Sequence, residues 1–160
     1  MGSSRLPALG PRGEGWVALQ LAAIAAVGIA GVWGPAWTAG GRSWSLAGGL
    51  LSAAIGGALA WSGIRSLGPS LTALPRPGEG SALRETGVYA RARHPIYGGV
   101  LLVSLGFVLI TSPWAVVPWV LLTGILVAKS TREERWLIER YEGYVAYRTR
   151  VPRRFVPYLF

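Results

Sequence analysis

The chain has 160 residues, of which 51% are hydrophobic and 14% are charged, and its formal net charge is +9. Its mean hydropathy of +0.40 is too high for an ordinary soluble domain. The absence of cysteine and the presence of one histidine exclude disulfides and thiolate chemistry, and argue against a histidine-based metal site. We therefore expect a small membrane protein without a metal centre.

The first two apolar stretches each have the length of a membrane-spanning helix. A bilayer core requires about 20 apolar residues in helical form, and residues 16–33 and 44–64 contain no charged side chain. No cleavage signal precedes the first stretch, so we expect it to stay in the membrane as a span. The pattern predicts two long spans over these ranges.

A third apolar stretch, residues 96–128, is longer than one span requires. It is interrupted near its middle by the triplet Thr-Ser-Pro at 111–113. This pattern predicts a hairpin of two short helices, about 95–110 and 113–128. Pro118 is placed to kink the second of them, because a proline inside a helix removes a backbone hydrogen bond.

After the last predicted span the sequence changes from uniformly apolar to amphipathic. One helical face of residues 129–147 carries the large side chains Trp136, Leu137, Tyr141 and Tyr144. Such a helix is expected to leave the membrane and lie along its surface. The predicted fold is thus an all-α integral membrane protein, with four transmembrane helices and a C-terminal amphipathic interfacial helix in one domain over 1–160.

The basic residues are distributed unevenly between the two ends of the predicted spans. Of the 16 lysines and arginines only Arg42 lies on one side, and the 7 carboxylates all lie on the other. By the positive-inside rule both termini, the loop 65–94 and the segment 129–160 face the cytoplasm, most naturally at a bacterial plasma membrane. Topology and attraction to anionic membrane lipids explain the charge. No nucleic-acid motif accompanies it, so we expect no nucleic-acid partner.

Two polar clusters flank the predicted hairpin. Residues 90–97 (ARARHPIY) contain the only histidine, and residues 131–134 (TREE) contain adjacent carboxylates. Because the topology places both clusters at the same face of the membrane, we expect them to form a site to which the segment 129–160 contributes.

The order of the motifs resembles a known family of enzymes. The motifs are RHPxYxG at 93–99, EE at 133–134, YxxY at 144–147 and RVP at 150–152. Together with LGPSLT at 67–72, they resemble the isoprenylcysteine carboxyl methyltransferase family and the related phospholipid methyltransferases, over about residues 67–157. The resemblance implies an integral membrane enzyme that transfers a methyl group from S-adenosylmethionine to a lipophilic acceptor.

The resemblance also implies which residues bind the methyl donor. They are His94, Pro95, Tyr97, Gly99, Glu133, Glu134 and Tyr147. The residues alone leave other interpretations open. The carboxylate pair also suits the solvated start of a helix, and the histidine suits a structural polar contact. The tyrosines suit interfacial anchors, and the glycine suits helix packing.

Arg93 and Arg150 are the predicted catalytic residues. A guanidinium can donate two parallel hydrogen bonds to a carboxylate, which would be that of the donor or that of the acceptor. Most other arginines are interpreted as topology signals.

The expected function is methylation of a carboxylate, which requires no general base. One alternative is methylation of a phospholipid amine, which requires a general base. The other is a non-catalytic membrane scaffold. The chain is too short for the additional spans of the eukaryotic isoprenylcysteine enzymes, so the expected acceptor is a small isoprenoid or fatty carboxylate, or a phospholipid, rather than a prenylated protein.

Overall fold

The computed structural model describes residues 6–78 and 80–159, and over these ranges it contains helices, turns and loops but no strand. The α-helices are α1 (Glu14–Trp33), α2 (Ala39–Leu67), α3 (Pro95–Thr111), α4 (Val116–Arg140) and α5 (Tyr144–Arg150). The all-α prediction is confirmed. Arg5 and Glu79, which entered the prediction of charge distribution, lie outside the described residues.

Within the described residues, three helical segments are long and apolar enough to cross a membrane. They are Glu14–Trp33, Gly40–Ser70 and Pro113–Arg140. The remaining apolar helix, α3, has 17 residues, which at about 1.5 Å per residue is short for a bilayer core. The structure therefore fits a membrane protein, and the count of four spans stays a prediction.

Helices α2 and α3 pack closely through facing glycines. A Cβ atom added to Gly56 would lie 2.8 Å from the Gly99 carbonyl oxygen, and one added to Gly106 would lie 2.6 Å from that of Gly49. Such distances leave no room for a side chain. Small residues let membrane helices approach in this way, and Ser52 adds a hydrogen bond to the Leu102 carbonyl oxygen at 2.7 Å.

A buried apolar cluster joins α1, α3, α4 and the C-terminal tail. It contains Ala23, Leu101, Leu122, Leu126 and Phe155. Trp119 on α4 donates its indole N–H to the Leu101 carbonyl oxygen at 3.0 Å. The polar atom of Trp119 therefore has a partner inside the helix bundle, and its indole does not require a position at the lipid headgroups.

Pro118 lies in the first turn of α4, where a proline does not break the helix. A short 3-10 turn, Pro113–Ala115, precedes the helix, and Pro118 is the third residue of the α-helix itself. The amide groups of the first helical turn have no partner within the helix. The proline therefore costs no hydrogen bond there and does not interrupt α4.

The polar end of the chain differs from the prediction. Helix α4 runs unbroken through Lys129 to Arg140, and a separate amphipathic helix does not begin at residue 129. The reason is local, because residues 129–140 contain neither glycine nor proline. The break falls between Arg140 and Tyr144, beside Gly143, and the separate C-terminal helix is the short α5.

The segment 68–94 between α2 and α3 folds over one end of the bundle. It contains two 3-10 turns, Gly68–Ser70 and Gly87–Ala90. Its middle joins the start of α1, since the Arg76 amide donates to the Arg12 carbonyl oxygen at 3.3 Å. The sequence predicts a loop that begins at residue 65. Helix α2 instead continues to Leu67, so the loop begins three residues later.

Candidate active site

The residues before α3 and the polar end of α4 meet at one end of the bundle. Pro95 is the first residue of α3, a position that suits proline because its fixed φ matches the helix. Proline keeps the preceding residue out of the helical conformation, and His94 has φ −129° and ψ 58°. The His94 ring lies against α4, with Nε2 3.1 Å from Glu134 Oε1.

The C-terminal tail holds this segment in place. The amides of Arg93 and His94 donate to the carbonyl oxygens of Arg153 and Arg154 at 3.1 and 2.7 Å. Phe155 follows, fully buried, and packs edge-on against the His94 ring at 6.3 Å between centroids. The tail thereby fixes the backbone from which the histidine side chain projects.

Glu134 is the centre of a buried polar cluster. Its Oε1 accepts hydrogen bonds from Arg93 Nε at 2.8 Å and from His94 Nε2 at 3.1 Å. A carboxylate can only accept, so the histidine Nε2 carries the proton of this bond. Arg148 and Arg154 lie 3.9 Å from the carboxylate. The Glu134 side chain is only 5% exposed, so these contacts compensate the cost of burying its charge.

The adjacent Glu133 has different surroundings. Its Oε2 accepts a hydrogen bond from the Tyr97 hydroxyl at 2.7 Å and lies 3.8 Å from His94 Nδ1. The Tyr97 and His94 rings are stacked, with 5.5 Å between centroids and 2° between planes. The side chain is 22% exposed, and it lines a cavity. One of the two carboxylates is thus available to a ligand, while the other is enclosed.

The cavity lies under the segment 68–94, between α3, α4 and α5. Its volume is about 530 Å³, within the range of roughly 300–1,000 Å³ typical of small-molecule sites. Its apolar wall includes Ile64, Leu67, Ile96 and Val100, and its polar wall includes Arg84, Arg93, His94, Tyr97, Lys129, Glu133 and Tyr147. The cavity therefore joins the motif that precedes α3 to the polar end of α4.

Four of the predicted site residues lie away from the cavity wall. They are Pro95, Gly99, Glu134 and Arg150. Gly99 faces α2, where an added Cβ would lie 2.7 Å from the Gly56 carbonyl oxygen, so its contacts are those of helix packing. Arg150 is 60% exposed and pairs with Glu85 at the surface. Neither is placed to touch a ligand in the cavity.

The predicted catalytic residue Arg93 lines the cavity, and two of its three guanidinium nitrogens donate hydrogen bonds within the protein. Besides the bond to Glu134, its Nη1 donates to the Val151 carbonyl oxygen at 2.6 Å. The guanidinium is buried with a side-chain exposure of 6%. Its observed contacts are those of a residue that links α4 to the C-terminal tail.

Lys129 is a charged cavity residue that the sequence interpretation missed. Its ammonium group donates to Gln20 Oε1 at 2.6 Å and to the Ala73 carbonyl oxygen at 3.2 Å. It also lies 4.9 Å from the centroid of the Tyr97 ring. The available signal was its position, since the only lysine of the sequence stands one helical turn before Glu133.

Tyr147 forms part of the cavity wall beneath the loop. Its hydroxyl donates to the Tyr89 carbonyl oxygen at 2.7 Å. Burial raises the pKa of this hydroxyl well above its usual value. Tyr147 therefore stays protonated at neutral pH and supports the loop as a hydrogen-bond donor.

Among residues 6–78 and 80–159, no group of three or more histidine or carboxylate side chains is arranged to hold a metal ion. The charged groups at the site instead pair with one another and with backbone carbonyls.

Much of the chain matches a known protein family. The family model described as phospholipid methyltransferase matches residues 44–143, more than half of the chain. This confirms the resemblance based on the motifs from Arg93 to Gly99 and at Glu133 and Glu134. No curated protein is similar enough to match the chain.

Proposed function

The chain belongs to the phospholipid methyltransferase family, and from that premise we propose that it is an S-adenosylmethionine-dependent integral membrane methyltransferase acting on a lipophilic carboxylate. The observation that carries the proposal is the shared cavity. His94 and Tyr97 from the start of α3 and Glu133 from α4 lie in one wall. Separate or distant positions for these residues would have left no site.

The cavity contains one carboxylate that suits the methyl donor, that of Glu133. When bound, S-adenosylmethionine supplies a methyl group on a positively charged sulfonium. Glu133 offers a carboxylate for hydrogen bonds from ribose hydroxyls or the donor's amino group. Tyr97 and His94 hold this carboxylate in place through the 2.7 Å hydrogen bond and the stacked rings. We assign donor binding to Glu133, with His94 and Tyr97 as the residues that position it.

The same cavity supports a lipophilic acceptor. Methyl transfer is a displacement, so the protein has to align two reactants and exclude water. The apolar wall residues are Ile64, Leu67, Ile96 and Val100. They lie toward the apolar parts of α2 and α3, where an acyl or isoprenoid chain would extend.

The charge of the cavity favours a carboxylate acceptor. The described lining residues with a full charge are the cations Arg84, Arg93 and Lys129 and the carboxylate Glu133. An excess of positive charge attracts an anionic group. A carboxylate is also nucleophilic without a general base, and we assign no such base.

A phospholipid amine is the second candidate acceptor, and the description of the matching family favours it. An ammonium group must lose a proton before it can attack a methyl group. Of the groups in the cavity wall, His94 and Glu133 are the ones suited to accept this proton, although both already hold hydrogen-bonding or electrostatic partners.

The nature of the product separates these candidates. Purified protein would be incubated with methyl-labelled donor and a lipid extract, and the labelled lipid would be treated with mild base. We expect the label to be released as volatile methanol, as from a methyl ester. Label that stays in a non-volatile product would identify a methylamine and contradict the carboxylate assignment. The absence of both donor binding and labelled lipid would favour the non-catalytic scaffold.

We further propose that the site faces the cytoplasm of a bacterial cell, with both termini on that side. The support is the distribution of charge, because the cavity end of the bundle carries the arginines of the loop and of the C-terminal segment. Arg42 lies at the opposite end, in the first turn of α2.

A further inference from the structure

Arg84 is the cation of the cavity that has no observed partner. Among the described residues, three side chains with a full positive charge line the cavity, namely Arg84, Arg93 and Lys129. Arg93 is bonded to Glu134 and Val151, and Lys129 to Gln20 and Ala73. Within the part of the chain that the structure describes, no hydrogen bond or ion pair involves the Arg84 guanidinium.

The backbone on both sides of Arg84 is anchored. The carbonyl oxygen of Ser81 accepts a hydrogen bond from the Tyr141 hydroxyl at 2.8 Å. Leu83 packs against the cluster of Tyr144, Tyr147 and Val151. Glu85 pairs with Arg150. The residues around Arg84 are thus tied to the C-terminal segment, and this reduces the backbone entropy lost when a ligand binds to the Arg84 side chain.

Arg84 also lies at the solvent-exposed edge of the cavity. Its neighbour Glu85 pairs with Arg150, and Glu133, which lines the same cavity, accepts a hydrogen bond from Tyr97. A guanidinium without a partner at the entrance to a cavity is suited to bind a planar anion through two parallel hydrogen bonds.

We propose that Arg84 binds a carboxylate group of a ligand at the entrance to the cavity. The inference rests on the proposed function, which supplies two sources of such a group. One is the amino-acid carboxylate of the methyl donor, and the other is the carboxylate of the acceptor. In this proposal Arg84 binds the carboxylate, which is the role that the sequence analysis expects of Arg93 and Arg150.

Calorimetry with three probes tests this inference. The probes are S-adenosylhomocysteine, its decarboxylated analogue, and a C16 fatty acid. The proteins are the wild type, Arg84→Gln, Arg84→Lys and the control Arg91→Gln, whose side chain is exposed in the same loop and does not line the cavity. Arg84 is itself exposed, so its variants are expected to fold, which the unfolding temperature of each would verify.

If Arg84 binds the donor, Arg84→Gln weakens S-adenosylhomocysteine about tenfold and leaves its decarboxylated analogue unchanged, since hydrogen bonds to charged groups contribute about that factor or more. If it binds the acceptor, the same loss appears for the fatty acid only. In both cases Arg84→Lys is intermediate and Arg91→Gln resembles the wild type.

Two other results would overturn the inference, and they have different consequences. Equal affinities of the wild type and Arg84→Gln for all three probes would refute the role of Arg84 alone. A wild type that binds neither S-adenosylhomocysteine nor the fatty acid would refute the proposed function together with it.

Discussion

Glu133 and Glu134 show how adjacent residues of the same type acquire different roles. Glu134 points into the protein and accepts from Arg93 and His94, while Glu133 lines the cavity and accepts from Tyr97. The helix separates consecutive side chains by about 100°. One carboxylate therefore stabilises the junction of α3, α4 and the tail, and the other is placed to meet a ligand.

Removing the charge of Glu134 should destabilise the protein. Glu134→Gln leaves the buried Arg93 guanidinium without its anionic partner, and breaking a buried pair of this kind costs about 3 kcal/mol. Thermal unfolding in detergent would measure the loss. Glu139→Gln is the matched control, because Glu139 lies exposed on the same helix and should change stability by less than about 0.5 kcal/mol. Equal unfolding temperatures of the two variants would show that the Glu134 cluster is not structural.

The sequence motifs near the cavity do not indicate which residues contact one another. Arg93 and Glu134 are separated by 41 residues, so their pairing depends on how α3 packs on α4, which no local pattern records. Tyr144 and Tyr147 of α5, and Val151 directly after it, follow the helical repeat and are buried, whereas Arg150 falls outside this face and is exposed. Residues of one sequence motif are easily expected to share a role. In a helix, however, neighbouring side chains point in different directions, so their contacts differ.

The packing of α2 on α3 depends on glycine at defined positions. Gly49, Gly56, Gly99 and Gly106 lie where the two backbones approach each other. Gly57 belongs to the same helix as Gly56, but an added Cβ there would meet no atom within 4 Å. The close contact is therefore confined to one face of α2.

A methyl group at this contact should destabilise the helix pair. The Cβ of Gly99→Ala would lie 2.6 Å from the Ala60 Cβ, and overpacking of this kind costs roughly 1–3 kcal/mol. Gly57→Ala should leave stability unchanged or raise it slightly, since alanine is the better helix former. Thermal unfolding of both variants would compare them. A Gly99→Ala variant as stable as Gly57→Ala would contradict the close packing of α2 and α3.

Lys129 links three elements, and its loss should loosen the loop over the cavity. It joins α4 to Gln20 on α1 and to Ala73 in the loop. Lys129→Met leaves two acceptors without their donor, at about 1–3 kcal/mol for each group that stays buried and unpaired. We expect trypsin to cleave the loop after Arg84 faster than in the wild type, while the Arg76–Pro77 bond resists trypsin. Arg140→Met, at an exposed site on the same helix, should show the wild-type rate, and equal rates for both variants would refute the link.

The elements themselves were largely predictable, and their ends were less so. Apolar length located the four long helices, because burial in lipid requires a continuous apolar surface. Helix α2 starts at Ala39 instead of residue 44, as the glycines and Arg42 before the apolar stretch give no helix signal. Helix α4 continues past the apolar stretch to Arg140. A helix ends where its backbone hydrogen bonds end, and this position does not have to coincide with the end of the apolar stretch.

At the scale of the whole molecule, the topology can be tested without background because the sequence contains no cysteine. Single substitutions Arg42→Cys and Arg12→Cys place a thiol at opposite ends of the bundle. We expect a membrane-impermeant maleimide to label Arg42→Cys in intact cells, and to label Arg12→Cys only after the membrane is opened. Labelling of both variants in intact cells, or the reverse pattern, would contradict the proposed orientation.

The proposed donor site is formed by three parts of the molecule, namely the segment before α3, the polar end of α4 and the loop that covers the cavity. Calorimetry of the purified protein with S-adenosylhomocysteine tests it most directly, using Glu133→Gln, Tyr97→Phe and the distant control Arg12→Gln. We predict that the wild type and Arg12→Gln bind alike. Glu133→Gln should bind at least about tenfold more weakly, and Tyr97→Phe should bind more weakly than the wild type. Undiminished binding by Glu133→Gln, or no binding by the wild type, would contradict a methyl-donor site in this cavity.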